Sequence, residues 1–202
     1  NAEGESLSTA WRKEDYDDSA WPSGKTFIGK GSARQKYKMA TTIEMGPRTF
    51  YFRKSFDFDQ PAAGGELQLQ YLVDDGAVFY LNGKEIHRVN MKDRGSIRYT
   101  TRALSSVRDA ELSGPIQLSG KDLKQGKNVF AVEVHQYSTN DSDLAFGASL
   151  GATVESLPDG IILNELMAAN RGSVKNGDTN PDWIELYNPT SREIDLTGAG
   201  LG

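Results

Sequence analysis

Asn82-Gly83, between the apolar run Ala77–Leu81 and the segment Lys84–Arg88, constrains the fold more than any other feature of the chain. A two-residue hairpin of type I′ needs positive φ at both central residues, which Asn tolerates and Gly adopts freely, and its twist matches that of paired strands. The register expected from such a turn sets Leu81 opposite Lys84, Phe79 opposite Ile86 and Val78 opposite His87. Phe79, Leu81 and Ile86 then share one face, the expected core, while Val78, Tyr80, Glu85 and His87 share the other. Upstream, Leu67–Val73 alternates with period two and ends at Asp74-Asp75-Gly76. Read locally, this predicts a meander of three consecutive antiparallel strands.

Further strand-like runs cover Thr49–Phe56, Ile97–Thr101, Asn128–His135 and Leu144–Leu150, with Gly, Pro, Asn and Asp between them. Helical periodicity is nearly absent; a short helical turn before Pro115 is expected in segment 103–127, from Leu104, Val107, Leu112 and Ile116. The fold class expected is all-β, a sandwich or jelly roll whose two sheets bury alternate residues against each other. A turn-rich break at 156–160 divides a first domain, 3–155, from a second piece, 161–202. The latter has room for two or three strands around Ile161–Met167 and Asp182–Asn188. About 40 residues make a poor independent core. The tail is therefore expected to dock on the first domain or on another copy of the chain, a route to a homo-oligomer.

At 202 residues the chain is long enough for one large domain, or one domain and a smaller piece. It has no cysteine, which removes thiol catalysis, thiolate metal sites and disulfides without identifying a compartment. With 28 acidic and 23 basic residues interspersed, the net charge of −5 argues against a nucleic-acid partner. No apolar stretch approaches the roughly 20 residues that span a bilayer, so membrane insertion is not expected. Asn1-Ala2 reads as the remnant of an expression tag, in which case a native signal peptide would have been removed.

Three stretches together resemble a known family: Tyr16-Asp17-Asp18-Ser19-Ala20-Trp21-Pro22, Leu72–Gly83 with its Asp-Asp-Gly and Asn-Gly, and Asn128–Gln136. They are similar to the galactose-binding-like jelly-roll modules of large secreted bacterial proteins, including the non-catalytic sugar-binding modules of glycoside hydrolases. The resemblance covers about residues 8–152. It implies a jelly roll, a secreted or cell-surface location, a glycan or polysaccharide partner and, often, a structural calcium. The tail resembles the opening of a lamin-tail domain, an immunoglobulin-like sandwich. The matching segments are Ile162–Asn170, Asp178, Pro181–Pro189 and Ile194–Gly198. In bacteria such domains sit beside other domains of larger extracellular proteins, so further domains of the same protein are expected partners; the sequence stops before most of that sandwich's strands.

Sugar recognition by β-sandwich modules uses flat aromatic rings against the apolar faces of pyranoses, flanked by groups that bond the hydroxyls. Trp11, Tyr37 and Tyr137 lie near turn-rich sequence and Tyr80 on the non-core face of the hairpin. Trp21 reads more simply as packing under a sheet edge while Asp17 or Asp18 caps the turn. Glu133 and His135 project from one face of their strand, opposite Phe130, Val132 and Val134. With Asp74 or Asp75 they are candidate sugar ligands or, in a competing reading, the acid/base groups of a hydrolase. The plainer reading of this pair, and of His87, is the wet face of a sheet. Ser138–Asp143 clusters hard oxygen donors, with Asn140, Asp141 and Asp143 as candidate calcium ligands, although a solvated Asx-turn explains the same residues. No Ser elbow, His-rich metal pattern or Walker-type loop occurs, so a binding module is expected over an enzyme. A spacer or protein-interaction module without a small ligand is the alternative.

Overall fold

The Asn82-Gly83 turn forms as its residue types require, with φ of 51° at Asn82 and 83° at Gly83. The computed structural model describes residues 7–31, 36–59, 65–153, 160–167 and 175–196. Asn1-Ala2, most of the 156–160 break, Ala168–Asn170 and Thr197-Gly198 lie outside the described residues. In chain order the strands are β1 (Ile28–Lys30), β2 (Thr41–Thr42), β3 (Thr49–Phe58), β4 (Glu66–Asp74), β5 (Gly76–Leu81) and β6 (Lys84–Val89), then β7 (Ser113–Ser119), β8 (Gly126–His135), β9 (Leu144–Thr153), β10 (Ile162–Met167) and β11 (Trp183–Tyr187). One 3-10 turn, Ala10–Arg12, is the sole helical element among the described residues. The fold is all-β, and the chain divides into compact units at 1–154 and 155–202.

In the first unit, a five-stranded sheet of order β2-β1-β9-β4-β7 and a four-stranded sheet of order β3-β8-β5-β6 form a sandwich compatible with a jelly roll. Phe50 of β3, Leu69 and Val73 of β4, Ala77 and Phe79 of β5, Val132 and Val134 of β8, and Leu144 and Phe146 of β9 make its interior. Alternation along each strand sends these side chains inward. The expected meander does not form: β4 pairs with β7 and β9, whereas β5 pairs with β6 and β8. Asp74-Asp75-Gly76 carries the chain from one sheet to the other. Neither Asp is among the residues with the positive φ of a primed turn. A Cβ at Gly76 would meet the Asn90 carbonyl oxygen at 2.9 Å and Met91 Sδ at 2.8 Å, so the crossing needs glycine.

The hairpin register also differs from expectation. Leu81 pairs with Lys84 and Tyr80 with Glu85, but Phe79 pairs with His87 and Val78 with Arg88, leaving Ile86 as the extra residue of a bulge. His87 thus stands 5.8 Å from the Phe79 ring and 5.7 Å from Tyr71 rather than on a wet face, and its burial lowers its pKa. Ile97–Thr101 is a loop, not a strand, and the region before Pro115 forms no helix: Pro115 itself lies within β7.

A third layer corrects the reading of wet and dry faces. Trp11, Met91 and Ala103 are buried with Tyr51, Val78, Tyr80, Val129 and Ala131 in a second core on the outside of the four-stranded sheet. All six residues of β5 are therefore buried. In the second unit, β10 and β11 pair antiparallel from Ile162–Tyr187 to Met167–Trp183, and Ile162, Leu163, Leu166 and Tyr187 are exposed.

Asn82 contributes more than its φ. Its Nδ2 donates to Asp122 O and Asn128 Oδ1, both at 2.8 Å, and its Oδ1 accepts the Val129 amide at 2.8 Å. Asn82→Gly retains the turn geometry but leaves buried partners unpaired, so it is expected to destabilise the fold by about 1–3 kcal/mol. Chemical denaturation measures this, and a variant as stable as the parent would show that the side chain does no more than permit the turn.

Candidate functional site

The third layer is held by an arginine inside β3. Arg53, with its side chain 2% exposed, donates from Nε to Asp18 Oδ2 at 2.7 Å. Its NH1 donates to the carbonyls of Trp11 and, at 3.0 Å, Lys13, while NH2 donates to Tyr16 O at 3.4 Å. A planar guanidinium has enough fixed donors to serve four acceptors along one segment. Residues 11–18 are thereby fastened across the sheet. Asp17 Oδ1 accepts the Ser19 amide at 3.0 Å and Trp21 packs against Tyr16 with ring centroids 5.7 Å apart, in keeping with the plainer reading of that motif.

The Trp11 ring of this strap packs onto the sheet face that carries Tyr51 and Tyr80, and Glu133 and His135 lie on the same face. Trp11 is 1% exposed, 4.6 Å from the Tyr51 ring and edge-on to Tyr80 at 5.8 Å, so it is a core residue and not a stacking platform for sugar. Tyr80, also buried, donates its hydroxyl to Glu133 Oε1 at 2.5 Å. Burial first, and the Glu133 charge second, raise the pKa of Tyr80 and of Tyr51. His135 Nδ1 lies 2.9 Å from Thr101 O and 3.0 Å from Thr49 Oγ1. A carbonyl only accepts, and Thr49 gives its own proton to Tyr99 O at 2.6 Å, which assigns the proton to Nδ1. Nε2 then faces Glu133 Oε2 at 3.2 Å, off the line of a hydrogen bond.

A concavity borders this network. Tyr51, Tyr99, Arg98, Thr100 and Glu133, with Ser8, Thr9 and Ile97, line its shallow space of about 360 Å³. Tyr51 and Glu133 reach it from the sheet, and Ser8 and Thr9 from the segment just ahead of the strap. The chain pattern hinted at Tyr51, which alternates with Phe50 and Phe52 along β3, but gave no sign that loop 97–100 would close over the same face.

A second group gathers where β4 crosses to β5. Asp74 and Asp75 are buried, and Asp75 accepts the Val107 amide at 2.6 Å and the Tyr137 amide at 2.8 Å on its two oxygens. Asp141 Oδ2 accepts the Ser138 amide at 2.7 Å, and the Asn140 amide donates to Ser138 Oγ at 3.1 Å. Asp143 gives its carbonyl to Gln136 Nε2 at 3.1 Å. These bonds fit a closed polar turn. Among the described residues, no three His, Asp or Glu side chains gather as a metal site. Of the candidate calcium ligands Asn140, Asp141 and Asp143, Asp141 Oδ2 and the Asp143 backbone carbonyl already accept hydrogen bonds within the loop. Tyr137 is 44% exposed beside this turn, and Tyr37 lies elsewhere, packed on Phe27 at 5.2 Å.

The structure brings Glu133 and His135 together, with Nε2 and Oε2 3.2 Å apart. His135 Nδ1 is held by Thr101 and Thr49, and the Asp75 oxygens accept the Val107 and Tyr137 amides. Comparison with protein-family models, with curated proteins and with solved structures gave no match to this chain.

Asp74 is pushed up to about 8, by burial first, then by its hydrogen bond to Asp75 and the charges of Asp75, Asp143 and Asp141. The folded chain thus keeps a proton that the unfolded chain releases above about 4. Stability is full below that range and falls as pH rises from about 4 to about 8. Asp74→Asn, which cannot ionise, is expected to gain in melting temperature over the parent at about pH 8 relative to about pH 4. Thermal unfolding at both values checks this, and an equal difference at the two would refute it.

Proposed function

We propose that the first unit is a non-catalytic carbohydrate-binding or adhesion module of an extracellular or cell-surface protein, and that it takes glycan in the concavity of Tyr51, Tyr99, Arg98 and Glu133. One observation carries the reading: two tyrosines, an arginine and a buried carboxylate line the same concavity. Its volume falls in the range of small-ligand pockets. Tyr99 offers a half-buried ring edge and hydroxyl, and Arg98 and Thr100 offer donors for sugar hydroxyls. The Asp-Asp-Ser-x-Trp and Asn-Gly resemblance and the all-β sandwich support the same class.

Catalysis is disfavoured because Glu133 already accepts from Tyr80 and faces His135, with no second carboxylate bonded to that histidine. A spacer or protein-contact role is the second reading. It is favoured by the burial of Trp11 and Tyr80 and by the exposed apolar side chains of β10 and β11.

Isothermal titration against a polysaccharide panel tests the proposal. The chain is expected to bind at least one glycan, with affinity weakened by about tenfold or more, roughly 1.4 kcal/mol, in Tyr99→Ala. No heat with any glycan would favour the spacer, and glycan binding that Tyr99→Ala leaves unaffected would overturn this concavity as the site.

A further inference from the structure

We infer that the ligand of this face is an extended anionic chain, a uronate- or sulfate-bearing polysaccharide; the inference rests on the glycan-binding reading above and narrows it. A second concavity, about 520 Å³ in volume, lies beside the hairpin tip. Its lining comes from the strap, Thr9 and Arg12 to Asp15, and from Asn82, Gly83 and Lys84. Thr9 lines both concavities, so the two adjoin along the strap. Either alone is the size of a small-ligand pocket. Together they suit a chain of several sugar units better than a single ring.

Charge decides the chemistry. Among the acids lining the two concavities, Glu14 is paired with Lys124 at 2.5 Å, and Glu133 accepts from Tyr80 and faces His135. Asp15 and Glu133 are left without a Lys or Arg partner among the described residues. Among the cations, Lys84 is paired with Asp122, but Arg12, Lys13 and Arg98 have no acidic partner among the described residues. Three unpaired cations against two such acids give this groove a small positive excess on a chain whose net charge is −5. Such an excess attracts anions over about a Debye length, ~10 Å at 0.1 M salt. Arg12 is also held in place: its guanidinium sits 4.3 Å above the Tyr80 ring, and Arg53 fixes the carbonyls of the residues on either side of it, Trp11 and Lys13. A guanidinium so placed presents its donor fork to a carboxylate or sulfate without first losing side-chain freedom.

Titration of the whole chain with polygalacturonate, heparin and neutral dextran tests the inference, using Lys13→Ala/Arg98→Ala as the variant and Lys121→Ala as an exposed control outside the groove. Neither Lys13 nor Arg98 holds the fold through its side chain, so the double variant is expected to fold. At least one anionic probe should bind, more weakly as salt is raised, and about tenfold or more weakly still in the double variant. Lys121→Ala should bind as the parent does. Binding of neutral glycan with no preference for the anionic probes overturns the anionic assignment, and anionic binding that the double variant keeps overturns this groove as its place; either leaves a glycan-binding chain standing. Failure of every glycan, charged or neutral, overturns both.

Discussion

The first unit depends on the burial of one sheet from both sides. β5 and β8 give Phe79, Val132 and Val134 to the space between the sheets, and Val78, Tyr80, Val129 and Ala131 to the space under the strap. A strand covered on both faces loses far more apolar surface to burial than a strand with one wet face, at roughly 25 cal/mol per Å². That gain falls to the four-stranded sheet only while residues 7–21 and 91–103 stay in place. Arg53 is what fastens the first of these, through acceptors on Trp11, Lys13, Tyr16 and Asp18. Its charge is compensated by Asp18 and its remaining donors are spent on carbonyls, which is the condition under which a buried guanidinium is tolerated.

The same layer makes the site. Without it, Glu133 and His135 would be ordinary polar residues on an open sheet, each hydrated. Beneath it, they are desolvated and joined to Tyr80, Thr49 and the Thr101 carbonyl in one network. Glu133 still reaches the surface, because the strap and loop 97–100 leave a gap above it that Tyr51 and Tyr99 border. Fold and candidate function thus share one cause: a polar face that a second segment covers incompletely.

Local chemistry made much of this visible in the residues. Asn82-Gly83 announced its turn because both positions adopt positive φ, and β3, β4, β8 and β9 announced themselves by period-two alternation. Partner choice was not visible, since Leu69 and Val73 alternate identically whether β4 lies beside β5 or across the core from it. The bulge at Ile86 was hidden for a similar reason: an apolar residue suits either register, and the extra residue brings His87 beside Phe79. Tyr80, Glu133 and His135 looked like a wet face because alternation reports which residues share a side, not what covers it, and Trp11 looked like a ring in a loop. Only contacts distant in sequence, such as Arg53 with Asp18, decide that.

The most direct test of the covered sheet is a nuclear Overhauser measurement between the ring protons of Trp11 and those of Tyr51 and Tyr80. Ring centroids at 4.6 and 5.8 Å predict strong cross-peaks to both tyrosines. Their absence, together with an indole signal that exchanges freely with water, would contradict the account.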